Sequence, residues 1–281
     1  MDWVKSLNDA ISYIESRLLE EITCEEIAAH VYISSYHFQR CFSLLTGMTV
    51  GEYMRNRRLS LAGQELTASN TKIINIALKY GYETPESFAK AFTRFHGVTP
   101  SQAKTEGSGL KSFNRLIIKI TLEGGTVMDY KIVSRDSFDV LGLTRSFKTA
   151  KSFDDLPKFW TEYFSKGYNK RVAGAMGVCQ QESLASEDFR YTIGCEYKQG
   201  SEIPDGFGVI AIPAGTWVVF KCVGPMPKAI QEVWKRIYSE WQPQSEYERI
   251  EEYDFELYTD GDNQGKDYIS EIWIPVKTKC K

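Results

Sequence analysis

Residues 27–103 carry one pattern twice. Ile27-Ala28, Phe38, Phe42, Leu45, Gly47 and Thr49 return as Ile76-Ala77, Phe88, Phe92, Phe95, Gly97 and Thr99, the early positions offset by 49 residues and the later ones by 50. An internal repeat is one supersecondary unit used twice. Each copy reads as helix, tight turn, helix, the geometry that carries a helix into a groove of DNA.

Capping signals frame both copies. Thr23-x-x-Glu26, Thr49-x-x-Glu52 and Thr99-x-x-Gln102 have the capping-box form, in which the hydroxyl accepts the third amide and the Glu or Gln reaches back. Gly47 and Gly97 sit where a helix must stop, and Thr84-Pro85 supplies an N-cap followed by a first-turn proline. With the apolar periodicity of Leu7, Ile11, Ile14 and Leu18, these signals predict seven helices, at 2–20, 24–31, 34–46, 50–66, 73–80, 85–96 and 100–104.

The chain of 281 residues is long enough for two domains. Its net charge of −3 argues weakly against nucleic acid, but the distribution matters more than the sum. Residues 32–104 hold nine basic groups against four acidic ones, so positive charge gathers in the repeat. The six cysteines (24, 41, 179, 195, 222 and 280) show no C-x-x-C, and with three histidines a zinc site is not expected. Neither a metal nor a cofactor is called for. No apolar run approaches ~20 residues and the N-terminus lacks a signal pattern, so a cytoplasmic protein without a membrane partner is expected.

In the helix beginning at Ser34, Phe38, Phe42 and Leu45 form one inward stripe, which leaves Tyr36, Gln39, Arg40 and Ser43 on the opposite face. Arg can pair bidentately with guanine and Gln with adenine, so this stripe, with Ser35, is expected to face DNA rather than plain solvent. The matching stripe of the second unit is Glu86, Ala89, Lys90 and Thr93, with Ser87 beside it. It is poorer in readout groups, so the first unit is expected to carry most specificity. Helix 50–66 spans about 25 Å, short of the roughly 34 Å between successive major grooves on one face, so any remaining gap calls for DNA bending. Arg55, Arg57 and Arg58 on it are candidate phosphate contacts, each equally compatible with a solvated helix surface.

The stretch IAAHVYISSYHFQRCFSLLTGMTVGEYMRNRRLSLAGQEL, followed by INIALKYGYETPESFAKAFTRFHGVTPSQ, resembles the AraC/XylS family of bacterial transcription factors over essentially all of 5–104. The resemblance implies two helix-turn-helix units flanking a linker helix and occupying adjacent major grooves of double-stranded DNA, with RNA polymerase as a further candidate partner. By it, Tyr36, Gln39 and Arg40 match base-facing positions of the first recognition helix, and Pro85, Glu86, Ser87 and Lys90 those of the second. Pro85 cannot read a base and Glu86 is acidic, which departs from the usual polar pattern.

Between Gly107-Ser108-Gly109 and Gly124-Gly125, Leu116–Leu122 has the composition of a strand. Beyond Met128 two halves look alike: strand-rich 129–147, helix 153–166, strands 174–181 and 189–197, then strand-rich 207–223, helix 226–241, strands 250–259 and 268–276. Phe159-Trp160 and Val233-Trp234 take matching places in the two helices. Strand alternation puts Glu271 on a face with Ile269 and Trp273, and Glu256 on a face with Asp254 and Tyr258. A carboxylate among aromatics is costly to bury unpaired and can be relieved by protonation, by Arg or Lys, or by a cationic ligand that stacks on the rings. A plain ion pair accounts for Glu271 equally well.

The segments FGVIAIPAGTWVVFKCVG, YDFELYTDG and ISEIWIPVK resemble the gyrase-inhibitor-like effector-binding domain over about 128–277. The resemblance implies two β-α-β-β repeats around a cleft that takes a small, lipophilic or cationic effector in multidrug-sensing members. Glu256 and Glu271 are then the candidate ligand carboxylates, with Tyr130, Trp160, Tyr163, Trp217, Trp234 and Trp273 as candidate walls. The fold class expected is thus multidomain: an all-α N-terminal domain (1–106), a linker (107–127) and an α+β C-terminal domain (128–281). A C-terminal hydrolase, with Glu271 as general base, and a ligand-free protein-interaction module are the competing readings. No nucleophile–His–acid set favours the hydrolase, because all three histidines lie in the N-terminal half.

Overall fold

The computed structural model describes residues 3–105, 109–119, 127–181 and 188–279. Seven helices open the chain: α1 (Trp3–Ser16), α2 (Cys24–His30), α3 (Ser35–Thr46), α4 (Val50–Ala68), α5 (Ile73–Lys79), α6 (Pro85–His96) and α7 (Pro100–Ala103). All three capping boxes form, and Gly47 and Gly97 close α3 and α6 in the left-handed conformation at φ 72° and 85°. The multidomain order of an all-α part followed by an α+β part holds. The first helix is shorter than its periodicity predicts, because the chain turns after Ser16 while Leu18 still packs inward.

The two helical units have separate cores. Leu59, Leu66, Ile76, Phe88 and Phe92 form that of the second unit, whereas Ile27, Phe38, Phe42 and Tyr53 of the first merge with the C-terminal half. At 19 residues α4 is about 28 Å long.

Residues 109–119 are not a strand. They pass over α1 and α4, and side chains satisfy part of their backbone. Asn8 pairs with both the N–H and C=O of Ile118 (2.9 and 2.8 Å), Ser60 Oγ accepts from Phe113 N–H, and Arg57 donates to Phe113 C=O. The sequence lacks a partner strand here, so polar side chains do the pairing. The rest of the expected strand, 120–122, lies outside the described residues.

His96 anchors the start of this segment. Its Nε2 donates to Leu59 C=O (2.9 Å), which leaves Nδ1 to accept from Lys111 N–H (3.1 Å). Gly63 must lack a side chain, since a Cβ there would meet the ring at 2.8 Å. Burial, despite the Leu59 hydrogen bond, holds His96 below the usual histidine range. A ring neutral when folded but free to protonate when unfolded leaves stability intact above about pH 6.5 and erodes it as pH falls below that value. Melting temperatures from pH 7.5 to 5.5 should therefore decline. His96→Gln should flatten part of that slope, with buried His37, also held low, keeping the rest; an unchanged slope would show that the ring does not sense acid.

Among the described residues the C-terminal half has nine strands: β1 (Tyr130–Arg135), β2 (Phe138–Lys148), β3 (Met176–Gln180), β4 (Asp188–Glu196), β5 (Gly208–Ile212), β6 (Gly215–Val223), β7 (Tyr247–Arg249), β8 (Tyr253–Tyr258) and β9 (Ile269–Thr278). Helix α8 (Ser152–Ser165) precedes β3, and α9 (Lys228–Arg236) continues through a wide helical turn to Trp241. The order β1-β6-β9-β8-β3-β4-β2-β5 is symmetric about the β3–β8 pair. Each half lends its first strand to the other, β1 to β6 and β5 to β2, all antiparallel. One sheet face is filled by Val178, Trp217, Val219, Phe255 and Trp273, and the other is covered by helices.

Among the described residues no helix is long and apolar enough to cross a membrane, and no group of three or more His, Cys, Asp or Glu could hold a metal ion. Cys24, Cys41, Cys179, Cys195 and Cys222 are free thiols.

Candidate effector cavity and the recognition helices

A cavity of about 770 Å³ lies between α8, α9, the β3–β4–β8 part of the sheet and α3. That volume suits a small organic ligand. Trp160 of α8 and Trp234 of α9, the matched tryptophans of the two halves, both line it. Tyr191 and Tyr258 add to the aromatic lining; Trp160 donates to Tyr191 Oη (3.2 Å) and meets Tyr258 edge to face at 5.1 Å. Gly177 makes this possible, since a Cβ there would fall 2.1 Å from Tyr191 Oη. Exposed Asp260, Asn263 and Gln264 form the rim.

Glu256 is the carboxylate of the floor. Its Oε1 accepts from Trp234 Nε1 (2.7 Å) and Arg40 Nη2 (3.1 Å), and its Oε2 from Tyr258 Oη (2.6 Å). Asp254, buried beside it, pairs with Arg249 and lies 3.8 Å from Arg40. Burial pushes the Asp254 carboxyl up, and Arg249 and Arg40 offset only part of that. Arg40 shows the opposite balance: burial opposes its charge, but Tyr36, Asp254 and Glu256 outweigh the penalty and hold it firmly protonated.

Helix α3, expected from the sequence to be the first recognition helix, is part of this site. Tyr36 (3% exposed) packs on Phe189 at 4.5 Å, and Gln39 (8% exposed) bonds Ser35 Oγ. Ser34 N–H donates to Glu251 at 2.6 Å. The Arg40 guanidinium lies 3.9 Å above the Trp234 ring. The face of α3 expected to meet solvent or DNA is thus covered, because its aromatic and cationic side chains find a matching aromatic and acidic surface on the C-terminal half. Ser35 is buried with them and bonds Glu25.

Helix α6, expected to be the second recognition helix, is open. Glu86, Ser87 and Lys90 are exposed on α6, as is Arg94. On α4 Arg55 is exposed, whereas Arg57 is spent on Glu15 (2.8 Å). Arg58 donates to the carbonyls of Leu18 and Glu20, tying α4 to the α1–α2 turn, so it is not free for phosphate.

Of the ligand candidates, Trp160 and Trp234 join Glu256 at the cavity, and the rest lie elsewhere. Leu257 pairs with Glu271 and Glu256 with Ile272, which sets the two glutamates on opposite faces of the sheet. Glu271 pairs instead with Lys131 (3.1 Å) and Trp273 Nε1 (2.8 Å), the plain ion-pair reading. Trp217 and Trp273 fill the far-face core. Tyr163 is fully buried behind the wall and donates to Val172 C=O. Tyr130, half exposed, packs on Trp241. A separate hollow between α1 and α2, near Asp9, Arg17 and Tyr32, holds no comparable convergence of buried charge and aromatics.

Residues 27–106 match the helix-turn-helix domain family, and residues 131–276 match the family described as integron-associated effector binding protein. The chain is 35% identical to the HTH-type transcriptional activator AarP of Providencia stuartii, over 40% of this chain and 81% of that protein. It is 24% identical to the transcriptional regulator Rob of Salmonella typhimurium over 92% of this chain and 91% of that one. A solved structure of SAV2435 bound to tetraphenylphosphonium is 24% identical, covering 53% of this chain and 94% of its own, with a TM-score of 0.49. The chain therefore belongs to the AraC/XylS family of transcriptional regulators, with its helix-turn-helix DNA-binding half followed by an effector-binding half of the integron-associated type.

Proposed function

We propose that the chain regulates transcription by coupling DNA binding to capture of a lipophilic cation in the cavity between α8 and α9. The observation that carries this reading is Glu256, a carboxylate set among Trp160, Trp234, Tyr191 and Tyr258. A partly desolvated carboxylate favours a cation, and ring faces favour one that is weakly hydrated and apolar. Neither His nor Cys is among the described lining residues, so we read a site that binds rather than turns over its ligand. Exposed Ser87 and Lys90 of α6 are the DNA contacts available as the chain stands, and Arg55 is the available phosphate contact on α4. RNA polymerase is the further partner such a regulator would meet.

Titration of the full chain with tetraphenylphosphonium, followed by tryptophan fluorescence, tests the reading against tetraphenylborate, an anion of nearly the same shape. The expected result is saturable quenching by the cation and at least roughly tenfold weaker response to the anion. Equal responses, or none, would remove the cation from the account.

A further inference from the structure

The geometry points to Arg40 as an internal occupant of the effector site, so that an incoming cation and the first recognition helix compete for Glu256 and the face of Trp234. This rests on the reading that the cavity takes a cation. Glu256, Asp254 and the face of Trp234 are already holding cations from their own chain. The guanidinium stacks 3.9 Å over Trp234, bonds Glu256 at 3.1 Å and lies 3.8 Å from Asp254. Its side chain is only 15% exposed, so the contact is a seated one rather than a surface pairing.

The seated arginine does not come alone. Tyr36 sits against Phe189, and the α3 N-cap amide of Ser34 is held by Glu251. The face of α3 that carries Tyr36, Gln39 and Arg40 is the face a major groove would need. One face cannot lie in the groove and in the cavity together. In this state the first unit is therefore closed to DNA, while α6 of the second unit stays open.

A cationic effector must displace Arg40 to reach Glu256 and the ring. Once bound, its charge opposes the return of the guanidinium, and α3 is released with its base-facing side chains exposed. The ligand class follows from what it replaces: a delocalised, weakly hydrated cation with a flat or aromatic face. The apparent affinity for such a ligand is reduced by the fraction of molecules in the closed state.

Tetraphenylphosphonium affinity of the full chain tests this with two variants. Arg40→Met keeps the aliphatic stem and removes the internal cation, and should bind at least about tenfold more tightly than the parent. Glu251→Ala removes the hold on Ser34 while leaving every cavity side chain in place, and should tighten binding severalfold; it also serves if Arg40→Met fails to fold. If the parent binds and neither variant tightens, the competition is overturned while the cation reading stands. Weaker binding by Arg40→Met would make Arg40 part of the ligand site and overturn the proposal. Failure of both parent and Arg40→Met to bind would overturn the cation reading itself.

Discussion

Glu256→Gln is expected to lose lipophilic-cation binding by at least roughly thirtyfold, about 2 kcal/mol, the scale of one charge-assisted contact in a partly buried site. The amide oxygen can still accept from Trp234 Nε1 while the amide NH2 donates to Tyr258 Oη, so the wall geometry survives while the negative charge goes. Arg40 loses the same partner and competes less well, which offsets part of the loss. Asp254 still faces Arg40, so that offset is incomplete. Glu271→Gln serves as the control, because Glu271 lies on the other sheet face with Lys131 and Trp273 and should leave cation affinity unchanged. Isothermal titration of both variants would check the contrast, and equal losses would place the ligand elsewhere.

Trp234→Ala is expected to cost about 3–5 kcal/mol of stability, the range for truncating a large buried aromatic. The ring is 1% exposed, stacks on Tyr238 at 5.7 Å and 23°, and supports Arg40 on one face. For a half-chain of this size that corresponds to a melting temperature lower by on the order of 10 °C. Trp234→Phe keeps most of the volume but removes the N–H that fixes Glu256, so it should melt close to the parent while binding the cation several times more weakly. Calorimetry of the two variants separates packing from positioning; equal destabilisation would assign Trp234 to packing alone.

Much of this was legible in the residues. Local hydrogen-bonding signals placed the helices to within a few residues, because a Thr-x-x-Glu or a terminal glycine acts through the backbone beside it. The matched tryptophans 160 and 234 pointed to an internal symmetry, and both line the cavity. What distant partners decide was not legible. Alternation put Glu271 with Trp273 and Glu256 with Tyr258, but it cannot say which sheet face the helices cover. The exchange of β1 and β5 between halves leaves no periodic trace. The stripe of α3 shows the same limit most sharply, since periodicity tells which face its own unit leaves uncovered, not what covers it. Tyr36, an aromatic on a face otherwise polar, was the one signal that the face meets another surface. Arg58 was likewise absorbed by carbonyls of Leu18 and Glu20, residues 40 and 38 positions away.

Hydrogen exchange over residues 35–46 of the full chain, with and without saturating tetraphenylphosphonium, tests most directly whether effector and recognition helix exclude each other. Faster exchange across α3 on cation binding, together with slower exchange around Trp160 and Trp234, is the predicted result. Unchanged or slower exchange across α3 with the cation bound would contradict it, since the helix would then remain seated beside its supposed competitor.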